Sequence, residues 1–242
     1  MAHGTKDYAN VQPKITTYTL TDMAELAERL GAIPSLDRLG DVIFLDSFED
    51  GLCKWDTYVD GLGSTLGVSG AVSDHGGFSC KTHLVNDSTA LVRLFKYLTY
   101  PIPSQIGIEF NTSLDLNMSS YIIDLYFYSG TLLAWGSLSI DRSAGTVSVL
   151  GTGSVWQIVI PDYNALTTYN RFHRFKLVID FTNLTYRKLV TTRGVVDLRS
   201  IKMYSFVSAL APEFRVVFNM QGVNAAAIDI YLDSVIITQN EP

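Results

Sequence analysis

Carboxylates, histidines and aromatic rings are the side chains of this sequence that could do chemistry. Retaining hydrolysis of a glycosidic bond needs two carboxyl groups about 5–5.5 Å apart, which same-face neighbours on a strand provide. Asp124 stands alone in Ile-Ile-Asp-Leu-Tyr. Asp229 and Asp233 share a strand face but lie four residues apart, roughly 13 Å along the strand. No segment alternates paired Glu and Asp, so glycosidase chemistry is not expected. His3, His75, His83 and His173 stand in no Gly-x-Ser-x-Gly or His-Glu-x-x-His context. His75, between Asp74 and Gly76-Gly77, reads as a turn residue, and His173 as a strand-edge residue. The chain is read as non-enzymatic.

Aromatic rings offer a second chemistry, stacking on the apolar faces of sugars with polar neighbours for the hydroxyls. The candidates are Tyr126, Tyr128, Trp135, Trp156 and Tyr163. Tyr126 and Tyr128 share a face opposite Leu125 and Phe127. Taken singly, each of these residues also reads as core or rim. A protein–protein contact would use the same residue types, because Tyr and Trp are enriched in interface cores.

Composition bounds the partners. The chain has 242 residues, 47% hydrophobic and 17% charged, with a formal net charge of −6. That supplies a packed core and argues against disorder. No Lys/Arg cluster is present to neutralise phosphates, so nucleic acid is not an expected partner. No apolar run has the length of a membrane-spanning helix, so no membrane partner is expected. The residues Met1–Asp7 show no apolar leader core, which points away from export by a signal peptide. Cys53 and Cys80 form no disulfide framework and are expected as reduced, buried thiols. Sequons at Asn86, Asn111, Asn117 and Asn183 read as chance in a Ser/Thr-rich chain.

Two kinds of element must position these residues. Residues 1–40 read as an arm: polar and aperiodic to residue 20, then a helix over 21–31. Met23, Leu26, Ala27 and Leu30 form its apolar stripe, Asp22 and Glu25 have capping-box spacing, and Gly31 and Pro34 end it. Three turns are too short to be stable alone, so the stripe is assigned to assembly against another chain. From residue 41 the period becomes two. Ile106, Ile108 and Phe110 alternate with polar or small residues. So do Phe175, Leu177 and Ile179; Phe214, Val216 and Phe218; and Ile228, Ile230 and Leu232. All twelve are expected to point inward, with the opposite faces towards water. Turns are expected at Asp60-Gly61, Ser129-Gly130, Ala144-Gly145, Gly151–Gly153 and Arg193-Gly194, and a loop over 60–77. The expected fold is all-β: a two-sheet antiparallel jelly-roll sandwich over 41–242, with the arm and one helix before it.

Four segments carry a resemblance. Phe44-Leu45-Asp46-Ser47-Phe48-Glu49-Asp50-Gly51 with Trp55, Gly76-Gly77-Phe78-Ser79-Cys80-Lys81-Thr82, Phe172–Asp180 with Tyr186, and Ile228–Ile237 follow in order. Together they resemble the strands of concanavalin A-like and laminin G-like domains and of carbohydrate-binding modules. The resemblance implies a calcium ion, Ca²⁺, at Glu49, Asp50 and Asp233. The opening Gly-Thr-Lys-Asp-Tyr and the helix resemble N-terminal segments of phage virion proteins. That implies a structural or decoration subunit of a virion (capsid or tail accessory), docked through its arm on copies of itself or on other virion proteins. The alternative is a carbohydrate-binding, lectin-like module with glycan partners and a structural calcium.

Overall fold

The computed structural model describes residues 36, 39–98, 103–113, 120–163, 171–222 and 226–242. The expected arm and helix, with Met23, Leu26, Ala27 and Leu30, lie outside the described residues. The strands are β1 (Asp41–Asp46), β2 (Asp56–Asp60), β3 (Thr65–Ser69), β4 (Ser79–Leu84), β5 (Leu91–Leu98), β6 (Gln105–Ser113), β7 (Tyr121–Tyr128) and β8 (Leu132–Asp141). They continue as β9 (Thr146–Gly151), β10 (Val155–Ile160), β11 (Phe172–Asp180), β12 (Thr185–Thr191), β13 (Gly194–Asp197), β14 (Tyr204–Val207), β15 (Glu213–Gln221) and β16 (Ile228–Gln239).

These strands form two antiparallel sheets. The first runs β13-β12-β11-β6-β16-β4-β3, with β1 also paired to β16. The second runs β10-β9-β8-β7-β15-β5-β2, with β14 also paired to β8. Tight turns fall where the sequence places them, with Gly130 at φ 91° and Gly194 at φ 136°, angles that side chains other than glycine rarely adopt. The loop expected over 60–77 instead contains β3, which pairs Thr65–Ser69 with Ser79–His83. Its Gly and Ser content obscured a short edge strand.

The two-residue period sorts the side chains. All twelve residues expected to face inward are at most 2% exposed. Phe110 of the first sheet stacks on Phe175 at 5.5 Å and meets Phe218 of the second edge-on, also at 5.5 Å. Such aromatic contacts lock the layers beyond the area they bury. Cys80 is fully buried, and burial pushes its thiol up to about 12, followed by the charges of Asp46 and Asp233. Cys53 is exposed, contrary to expectation, because it sits in the β1–β2 connection rather than in a strand. Both thiols are free.

One expectation of alternation fails on the outer face of the first sheet. Glu109, Lys176 and Asp180 alternate with core residues, yet are 3%, 1% and 3% exposed. Chain segments flanking the sandwich cross this face. Lys176 Nζ lies 2.8 Å from Glu241 Oε1 and donates to the Leu39 carbonyl at 3.2 Å. Glu109 accepts the Leu36 amide N–H. Asp180 accepts the amides of Thr182 and Asn183 in its own turn.

A break in the second sheet is closed from the first. One edge of β8 is shared: Leu132–Trp135 pair with β14 and Leu138–Asp141 with β9. Ser137 falls between the two. Tyr186 of β12, fully buried, reaches across the core and accepts the Ser137 N–H at 2.9 Å. Its hydroxyl donates to the Leu150 carbonyl at 2.8 Å. Removing the hydroxyl leaves a buried donor and a buried acceptor without this partner, which costs about 1–3 kcal/mol. Tyr186→Phe is therefore expected to lower the unfolding free energy by that amount, read by near-UV circular dichroism as a lower urea midpoint at unchanged m-value.

Candidate functional site

The outward face of the second sheet carries a groove of about 590 Å³. Five strands contribute, and in each the buried face determines what the groove receives. On β7, Tyr121, Ile123 and Leu125 are buried in the core, so Ile122, Asp124 and Tyr126 face out. On β15, Phe214, Val216, Phe218 and Met220 face in, leaving Arg215, Val217, Asn219 and Gln221 on the groove side. On β5, Val92 and Leu94 face in, and Leu91, Arg93 and Phe95 line the groove. Trp135 of β8 and Trp156 of β10 complete the wall. From β10 to β5 the groove crosses five inter-strand spacings, roughly 24 Å.

Its floor is built on a row of ring contacts. The rings of Tyr126 and Trp135 lie 5.3 Å apart and tilted by 31°, and Tyr126 stacks on Tyr128 at 6.3 Å. Trp135 also meets Tyr204 at 5.9 Å. Trp156 is 40% exposed. The guanidinium of Arg215 lies 4.9 Å from the Tyr126 ring centroid and 5.7 Å from those of Tyr97 and Tyr128, and it donates to the Tyr128 hydroxyl at 3.0 Å. Cations over aromatic faces are attracted by the ring quadrupole.

Asp124 is the carboxylate of this lining. It accepts the Trp135 indole N–H at 2.8 Å on one oxygen and the Asn219 amide N–H at 2.6 Å on the other. Burial raises its pKa, against hydrogen bonds from Ser137, Trp135, Tyr126 and Asn219 that favour the ionised form. The Tyr126 hydroxyl is pushed well above its ordinary value, first by burial and then by the charge of Asp124. It therefore stays a neutral phenol near pH 7.

Of the ring residues expected to bind a ligand, Tyr126, Trp135 and Trp156 line the groove, and Tyr128 supports it from beside Tyr126. Tyr163 does not join them. It is 1% exposed, packs at 5.4 Å on the core ring of Phe175 and bonds through its hydroxyl to His173 Nδ1 at 3.1 Å. It lies inside the sandwich, so no sugar can stack on it. Arg93, Arg215, Asn219 and Gln221 were not singled out from the sequence. Their signal was their position one residue out of phase with the core residues of β5 and β15.

The calcium set does not fit as arranged. Glu49 Oε1 accepts the amides of Gly77 and Phe78 at 2.8 and 3.0 Å. Asp233 Oδ2 accepts those of Asp74 and His75 at 2.8 and 3.1 Å, and its Oδ1 accepts the Ser234 amide at 2.7 Å. These oxygens face N–H donors, whereas a calcium ion collects oxygen ligands around itself. The Asp50 side chain is 78% exposed, 4.0 Å from Lys54 Nζ. Among the described residues no group of three His, Cys, Asp or Glu is placed to hold a metal. What Glu49 and Asp233 do is clasp the β3–β4 loop.

No protein-family model matches the chain, and no curated protein matches it. Solved structures do. The chain is similar to an endo-β-1,4-glucuronan lyase from the fungus Trichoderma reesei, with TM-score 0.54 and 11% identity over 82% of this chain and 96% of that one. It is also similar to the cellulose-induced protein Cip1, with TM-score 0.53 and 12% identity over 81% and 96%. These likenesses are of fold: the chain is a jelly-roll β-sandwich, a fold that the lyase, an enzyme, shares.

The raised pKa of Asp124 fixes the sign of a pH effect. Because the folded-state pKa lies above the unfolded value of 3.8, the native state binds the proton more tightly. Stability from this group is greatest below 3.8 and falls as pH rises through the folded-state pKa. Urea midpoints of the wild type and Asp124→Asn, measured between pH 4 and 7, are expected to show the wild type gaining stability relative to the variant on acidification. A constant difference across that range would contradict the assignment.

Proposed function

We propose that the chain is a carbohydrate-binding module that takes an oligosaccharide across the outward face of the second sheet. The Tyr126–Trp135 platform, continued by Trp156 inside one groove, is the observation that carries this reading. Flat rings suit the apolar faces of sugars, while Asn219, Gln221, Arg93 and Arg215 supply polar groups for hydroxyls or charged substituents. The groove volume falls in the range of small-molecule sites. Its length across five strand spacings suits several linked sugars rather than one.

Binding without hydrolysis is the reading the lining supports. Glycoside hydrolysis by the common route employs two carboxyl groups flanking the bond. Among the residues lining the groove, Asp124 alone is a carboxylate, and both its oxygens are held by side chains of the floor and wall. The virion-subunit reading rests on residues 1–31, outside the described residues, and no described observation favours it.

Trp156 makes the cleanest test, because it is substantially exposed on a terminal strand. Trp156→Ala is expected to weaken binding to the best ligand of a soluble oligosaccharide panel by tenfold or more, about 1.4 kcal/mol, at unchanged melting temperature. Isothermal titration calorimetry measures it. Full affinity in the variant would remove the groove from consideration.

A further inference from the structure

We infer that the groove selects an anionic glycan, one whose sugars carry carboxylate or sulfate groups; this rests on the carbohydrate-binding reading and narrows its ligand. Arg93 is the first reason. Its side chain lines the groove, and its Nε is buried with no hydrogen-bond partner. Among the described residues no carboxylate lies within ion-pair distance of it, and its guanidinium carbon lies 5.9 Å from the centroid of the Tyr58 ring. A buried N–H of a charged group without an acceptor is costly, and a bound anion supplies that acceptor.

Arg215 is the second reason. Its Nε is also buried without a hydrogen bond, although Glu213 Oε1 lies 3.5 Å away at the strand end. The rings around Arg215 hold its guanidinium on the groove side without neutralising it. Within the lining, two guanidiniums face one carboxylate, Asp124, whose oxygens are already engaged. With Glu213 paired to Arg215 from the strand end, Arg93 is the guanidinium of the lining without an ion pair among the described residues.

Spacing separates a polymer from a single anion. In the β5–β15 register Arg93 pairs with Asn219 and Arg215 with Tyr97. The two cations therefore start four residues apart on neighbouring strands, roughly 14 Å between backbones. A chain bearing anions on several of its sugars can supply one to each, while further sugars continue past Arg215 onto Tyr126 and Trp135. The alternative polyanion, a nucleic acid, demands clustered cations for its phosphates, and the lining offers two separated guanidiniums.

The experiment is calorimetry on the full chain with four probes: a β-1,4-linked glucuronate tetramer, the uncharged cellotetraose with the same linkage, a sulfated cellotetraose and a decathymidylate. The expected result is at least tenfold tighter binding of the glucuronate or the sulfated tetramer than of cellotetraose, weakened by added NaCl. Whichever of the two binds more tightly identifies the anion. Arg93→Gln is expected to reduce the anionic preference about tenfold, and Arg93→Lys to restore part of it through charge without the planar fork. Melting curves establish that both variants are folded. If cellotetraose binds as tightly as the anionic tetramers, or the folded Arg93→Gln keeps the full preference, the inference fails while the carbohydrate reading stands. If no tetramer binds, both fail, and tighter binding of decathymidylate overturns both in favour of a nucleic-acid groove.

Discussion

Alternation along a β-strand commits the side chains left out of the core to one common surface, and the groove exists because of that constraint. On β7 and β15 the core takes Tyr121, Ile123, Leu125 and Phe127, and Phe214, Val216, Phe218 and Met220. The residues between them have no choice but the outward face. A one-residue slip in either strand would exchange the sets, placing Asp124 and Arg215 in the core. The register that protects the core, Val216 opposite Leu125 and Phe218 opposite Ile123, therefore also places Arg215 beside Tyr126.

Within that surface Asp124 organises the rest. Its two oxygens fix the plane of the Trp135 ring through the indole N–H and the rotamer of Asn219 through the amide. Three strands, β7, β8 and β15, are thereby tied on the groove side as well as on the core side. Side chains already held in place lose less freedom when a ligand arrives. Without these bonds, a carboxylate so thoroughly removed from water would gain little by staying there.

Much of this was legible in the sequence, for physical reasons that also explain the misses. Period-two runs such as Phe175-Leu177-Ile179 announce a buried face directly, and glycines such as Gly130 and Gly194 announce turns that require positive φ. Tyr126, Trp135 and Trp156 could be picked as rings out of phase with the core. Tyr163 could not be sorted, because it lies beyond β10, where alternation gives no orientation. Arg93 and Arg215 escaped notice because a lone arginine in a strand reads as a solvent contact until its neighbours are known. The clasp made by Glu49 and Asp233 joins residues remote in sequence, and only the fold reveals that they meet backbone amides. Burial of Lys176 against Glu241 depends on chain segments crossing the sheet, which strand periodicity does not encode.

The hydroxyl of Tyr186 has a mechanical consequence. Two sheets joined only by apolar contact resist separation strongly but resist sliding weakly, since one hydrocarbon contact substitutes readily for another. A directional bond from β12 to the backbone of β8 and β9 is lost on a displacement of an ångström or two. It supplies shear stiffness at one point, and that point lies on β8, the strand that carries Trp135.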